Sequence, residues 1–152
     1  VAPVASSAPE PLPLATGQRA KLTADGLARA PASAPDAVKK IIASANKIAT
    51  KPYLWGGGHA KWEDKGYDCS GSVSYALYGA GLLKAPLVSG DFPNWGVAGA
   101  GRWVTLYGNS GHGYMVVAGL RFDTSGAKQS GSRWQTAVRP TRGYGVSHPP
   151  GL

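Results

Sequence analysis

Tyr53-Leu54-Trp55-Gly56-Gly57 and Asp68-Cys69-Ser70-Gly71 are the two stretches on which the reading of this chain turns. The second opens the run SGSVSYALYGAGLL, in which Val73, Leu77 and Ala80 share one side, as in a helix that buries one face and closes at Gly79–Gly81. Asp68 stands where an N-cap belongs, so Cys69 falls in the first turn. Unpaired backbone N–H groups and the positive end of the helix dipole favour a thiolate there. The thiolate is the nucleophilic form, which makes Cys69 a candidate catalytic residue. The first stretch is an aromatic stub entering a three-glycine turn that ends at His59. Glycines permit close approach of a ligand or a neighbouring segment.

A thiolate needs a base that takes its proton and later protonates the leaving group. The chain has three histidines, His59, His112 and His148. His59 abuts the glycine turn and reads as structural or substrate-side. His148 lies close to the end, between Ser147 and Pro149. His112 opens the apolar run 112–118, which reads as a strand after a first strand at 102–107 and a turn at 108–111. A third strand is expected over 120–124, with Gly119 as the tight turn. His112 is therefore the preferred base, because a rigid element carries it. Pairing across Gly119 brings a polar residue near Asp123 beside His112. Thr124 is the alternative, since a slip of one residue exchanges faces, and His148 is a further candidate for this third position. Asp123 also suits a cap on the turn Thr124-Ser125-Gly126.

Upstream, Asp36 is placed to cap a helix over AVKKIIASANKIAT. Val38, Ile41, Ile42, Ala45 and Ile48 recur at three- and four-residue spacing, and Lys51-Pro52 ends the run. Residues 1–35, rich in Pro and Ala, read as an extended, poorly ordered linker or stalk, with a short helix possible over Gln18–Arg29. This gives a linker at 1–35 and a folded domain at 36–152. Val1 opens directly into the linker-like stretch, which leads to the expectation of a leader removed upstream.

The chain has 152 residues, of which 43% are hydrophobic, and a net charge of +8 with pI near 9.8. One cysteine excludes an internal disulfide. The basic balance favours an anionic partner. The Lys and Arg residues are scattered, which argues against nucleic acid, and no apolar run is long enough to span a membrane. No metal-ligand spacing is present, and no cofactor is implied. Trp62, Trp95, Trp103 and Trp134 either line a binding groove or pack the fold. Glu63 and Asp64 read as a solvated loop pair.

Tyr53-x-Trp55-Gly56-Gly57, Asp68-Cys69-Ser70-Gly71 and a glycine-flanked His112 opening an apolar strand resemble the NlpC-type cell-wall cysteine peptidases. The match covers roughly residues 36–124. The resemblance implies a small papain-like α+β fold, with N-terminal helices packed on an antiparallel sheet. It implies hydrolysis of an amide in the peptidoglycan stem peptide, of the D-γ-glutamyl–diaminopimelate type, through an acyl-enzyme. Cys69 would attack, His112 would shuttle the proton, and Tyr53 would assist near the nucleophile. Asp123 would orient His112 where the family commonly has a histidine. The Cys69 N–H would serve the oxyanion, and Trp55, Asp68, Ser70 and Gly111 would contact substrate. A secreted or wall-associated monomer is implied, held against anionic wall polymers by its charge. Two rivals remain: a wall-binding module of the same fold without chemistry, and an acyltransferase, although relatives of that kind place histidine before cysteine.

Overall fold

The structure, a computed structural model, describes residues 14–15 and 17–152. The apolar stripe read from the sequence forms helix α1, Asp36–Ile48, and Val38, Ile41, Ile42, Ala45 and Ile48 are all buried. Its N-cap is Pro35 and has no side-chain hydrogen bond, so Asp36 is the first helical residue, not the cap. There its carboxylate still faces the positive end of the dipole.

Helix α2, Cys69–Gly79, is sequestered almost all round, with Ser70 to Leu77 buried. Small residues make this possible. Gly79 has no side chain where Ser44 of α1 closes in, so the two helices approach tightly. Gly71 likewise leaves room for the Gly57 carbonyl, which accepts the Asp68 N–H at 3.3 Å. The three-glycine turn is thereby seated on the start of α2. That helix ends as expected: the Leu82 and Ala80 N–H groups donate to Leu77 O, with Gly81 at φ +76°.

Two small strands precede the helices, β1 (Lys21–Leu22) and β2 (Ala28–Arg29). The six that follow are β3 (Val97–Ala98), β4 (Val104–Gly108), β5 (Gly113–Val117), β6 (Leu120–Phe122), β7 (Trp134–Gln135) and β8 (Gly145–His148). They form one sheet in the order β3-β8-β4-β5-β6-β7, antiparallel throughout. Helix α2 packs on one face of β5. On the strands β4 and β5 the 3₁₀ segment Ser89–Asn94 closes in, its Phe92 ring lying where Gly108 and Gly113 have no side chains. The fold is α+β, as expected.

The β5–β6 turn is Ala118-Gly119, with φ of +46° and +84°, the left-handed pair of a type I′ hairpin. It sets Val117 opposite Leu120 and Met115 opposite Phe122. Among the described residues no helix is long and apolar enough to cross a membrane.

The linker expected at 1–35 lies outside the described residues up to residue 13. From residue 17 onward the structure differs from that expectation. No helix forms over 18–29. Instead β1 and β2 make a hairpin, with Gly26 at φ +83° in its turn. The Asn46 side chain of α1 accepts the Ala28 N–H and donates to Ala28 O, at 2.9 and 2.8 Å. The Ala20 N–H donates to Ala118 O, and Ala20, Ala28 and Ala34 are buried in the core. Partners far along the chain thus override a weak local tendency to helix.

Candidate active site

Cys69 is the first residue of α2, half-buried and unbridged. Asp68, the expected N-cap, accepts the Gly71 N–H through Oδ1 at 2.6 Å, which fixes the first turn. The thiol faces His112, the residue just before β5, and the Gly113 N–H also points at the sulfur. Asn109 holds the approach to β5: its side chain accepts the N–H groups of Gly111 and His112, each at 2.9 Å.

His112 Nε2 donates to Asp123 Oδ1 at 2.8 Å. With Nε2 engaged, Nδ1 is the nitrogen available to the sulfur. Both readings of Asp123 are therefore realised together. Oδ1 also accepts from the Ser125 N–H at 3.1 Å, capping the 3₁₀ turn Thr124–Gly126, and from Ser125 Oγ at 2.8 Å. Oδ2 meets Arg139 Nη1 at 2.7 Å and Arg121 Nε at 3.3 Å.

These contacts set the protonation states. Burial pushes the Cys69 thiol up, but the hydrogen bonds from His112 and from the Gly113 N–H outweigh it and hold the thiol below its ordinary value of 9.0. Burial pulls His112 down, and its bonds to Asp123 and Cys69 overcome that and raise it from 6.5 to about 9. Burial alone would raise Asp123, yet His112, Arg139 and Ser125 hold the carboxyl far below the usual range. These contacts shift the pair toward a thiolate beside an imidazolium, backed by a buried carboxylate.

The remaining expected residues divide. Tyr53 and Trp55 are 53% and 86% exposed, and Gly111 is exposed on the loop before His112. Ser70, expected at the substrate, is only 5% exposed. Its hydroxyl meets His59 Nε2 at 3.1 Å and Asp68 Oδ1 at 3.3 Å, so it braces the start of α2 instead of facing outward. Asp68 is engaged in the same cluster, with His59 Nε2 at 2.8 Å from Oδ1. His59 is accordingly structural. His148 is tied by Nδ1 to Gly99 O at 2.8 Å, and Thr124 Oγ1 serves Ser72 and Arg133, so neither is the partner of His112.

Glu63 and Asp64 are not merely solvated. Asp64 accepts the Gly58 N–H at 3.1 Å and Glu63 accepts the Tyr75 hydroxyl at 2.9 Å, which folds the long 58–67 loop back on the helix. Trp134 is fully buried, with its indole N–H on Asn46, Trp103 is buried, and Trp62 stacks on Tyr78. These rings pack the fold.

Sequence reasoning missed two arginines. Arg133, fully buried, donates to the carbonyls of Ile48, Lys51, Pro52 and Tyr67 and to Thr124 Oγ1. It ties the end of α1, the approach to Tyr53, the approach to Cys69 and the segment after Asp123 to one point. Burial pulls it down to about 10. Arg139 lies in an irregular loop with no periodic signal. Both act over distances in sequence that no local pattern records.

The chain is 34% identical, over 148 aligned residues, to the peptidoglycan endopeptidase RipB of Mycobacterium tuberculosis, in two strains. The alignment covers 80% of this chain and 56% of RipB, so the chain spans about half the length of the curated relatives it matches. The solved structure of the peptidoglycan hydrolase RipB superposes with a TM-score of 0.58 at 28% identity, over 74% of this chain and 64% of that one. The P60 domain of an M. avium subspecies paratuberculosis antigen superposes with a TM-score of 0.56 at 25% identity, over 74% and 93%. The chain belongs to the NlpC/P60 family. No family model matches it. The likeness to NlpC/P60 domains agrees with the α+β arrangement of helices and one antiparallel sheet seen here.

Proposed function

We propose that this NlpC/P60 domain is a cysteine endopeptidase that hydrolyses an amide in peptidoglycan stem peptides, of the D-γ-glutamyl–diaminopimelate type. The observation that carries the reading is the chain of contacts from Cys69 through His112 to Asp123. The relatives' names, a peptidoglycan endopeptidase and hydrolase, supply the substrate class.

In this reading the Cys69 thiolate adds to the amide carbonyl, forming an S–C bond. The Cys69 N–H opens α2, where no preceding turn of the helix supplies an acceptor, and donates to the oxyanion. The C–N bond then breaks, and the amine leaves with the proton carried by His112. Water attacks the thioester carbonyl while His112 takes its proton, the C–S bond breaks, and the acid departs from a regenerated thiolate–imidazolium pair. Asp123 keeps the ring in one orientation and stabilises its charged form. Tyr53, Trp55 and Gly111 are exposed, which suits contact with the stem peptide in this reading. Asp68 and Ser70 act indirectly, by holding the helix start. The net charge of +8 keeps the enzyme, a monomer acting outside the cell in the wall, near anionic wall polymers, an effect that salt weakens.

The test is incubation with purified sacculi and detection of newly released amines. Release by the wild type and none by Cys69→Ala supports the reading. Equal release by both overturns it.

A further inference from the structure

The carboxylate behind His112 carries more positive charge than its own task requires. Asp123 is fully buried, and its two oxygens are divided. Oδ1 serves His112 and Ser125, while Oδ2 serves Arg139 Nη1 at 2.7 Å and lies 3.3 Å from Arg121 Nε. Arg139 is itself fixed. Its guanidinium lies over the rings of Tyr114 and Tyr144, at 5.0 and 5.6 Å, and Nη1 also reaches Ser125 Oγ at 3.0 Å. Tyr114 in turn stands beside the His112 ring, with 6.2 Å between centroids.

We propose that Arg139 is a positioning residue that acts through Asp123: it occupies Oδ2, so that Oδ1 alone orients His112, and its charge moderates the basicity of that ring.

The proposal rests on the reading of Cys69 and His112 as the reacting pair. Its physical basis is simple. A lone buried carboxylate would hold the imidazolium so firmly that His112 becomes a poor acid toward the leaving amine. A guanidinium on the far oxygen withdraws part of that field and also locks the carboxylate against rotation. The charged and titratable groups that face this pair are Cys69 from α2, with Asp68 behind it, Arg121 from β6, and Tyr114 and Tyr144 from the sheet side. Arg121 is the more distant of the two cations and does not hydrogen-bond through Nε. Arg139 therefore has the larger share.

The experiment is an NMR titration of the three histidine rings in the wild type and in Arg139→Gln, Arg139→Met and Arg139→Lys. Arg139→Met keeps an apolar stem over the tyrosines without the charge. Both neutral variants are expected to move the His112 titration upward by about one pH unit, because an Asp123 carboxylate without its guanidinium holds the imidazolium more firmly. Arg139→Lys should stay near the wild type. On sacculi, kcat should fall about tenfold with KM unchanged, a fraction of the roughly 10²–10⁴ that positioned proton transfer contributes. In an Asp123→Asn background the Arg139 substitutions should no longer shift His112. The proposal is overturned if the His112 titration stays put in the neutral variants, if Arg139→Lys moves as far as they do, or if the shift survives in Asp123→Asn. It is also overturned if neither neutral variant folds, which would assign the guanidinium to stability. The titration needs no wall substrate, so a shifted His112 in a protein that does not cut sacculi would sink the proposed substrate while leaving this inference standing.

Discussion

His112 Nε2 and Asp123 Oδ1 lie 2.8 Å apart at the open end of the β5–β6 hairpin, and this pairing follows from a two-residue turn. Ala118-Gly119 fixes Val117 opposite Leu120, and the ladder then brings the residues just beyond β6 back beside the residue just before β5. A hairpin one residue longer would turn Asp123 to the other face.

Asp123→Asn keeps the shape but loses the charge that holds the imidazolium. We predict that kcat on sacculi falls by about 10³–10⁴-fold, the size seen when the orienting carboxylate of a triad becomes an amide. Stability should fall by roughly 3 kcal/mol in urea unfolding, because Arg139 and Arg121 lose their counter-charge in a buried site.

The ring of His112 should titrate near 9 in the wild type, raised by its bonds to Asp123 and Cys69 against the opposing effect of burial. In Cys69→Ala the neighbouring anion is gone, and NMR should show the value lower by about one unit or more. An unchanged value would mean that sulfur and ring do not interact.

Acid stability should depend on Asp123. Its folded value is held far below the ordinary 3.8, so it contributes stability that is fully present above 3.8 and lost as pH falls through the folded value. Thermal melts from pH 5 downward should decline more steeply for the wild type than for Asp123→Asn.

Arg133 holds four backbone carbonyls from segments distant in sequence. Arg133→Met removes this donor from all four, although Ile48 O and Pro52 O keep the N–H groups of Lys51 and Tyr67, and we expect a loss of about 3 kcal/mol in urea unfolding. Arg133→Lys, with one point charge in place of a planar fork, should recover only part of it.

Trp55 is 86% exposed, so Trp55→Ala should change stability by less than about 0.5 kcal/mol. If its ring contacts the stem peptide, KM rises severalfold with kcat unchanged. Unchanged KM would remove Trp55 from the binding surface.

Much of this was legible in the sequence wherever the signal is local. The stripe of α1, the Asp68 cap, the glycine closure of α2 and the Gly119 turn each depend on residues within a few positions of one another, and the hairpin narrowed the neighbour of His112 to Asp123 or Thr124. What escaped depends on distant partners. The 21–29 hairpin forms because Asn46 satisfies both backbone groups of Ala28. Ser70 reads as a surface hydroxyl until His59 closes over it. Arg133 and Arg139 gain their meaning only when the tail folds back across the domain.

The account stands on the ionisation of one sulfur, and the rate of Cys69 alkylation by iodoacetamide across pH measures it most directly. The account predicts an inflection below 9.0 that moves upward in His112→Ala, where the thiol keeps burial, the Gly113 N–H and the Asp68 charge but loses the imidazole. A wild-type inflection at or above 9.0, unmoved by His112→Ala, would contradict it.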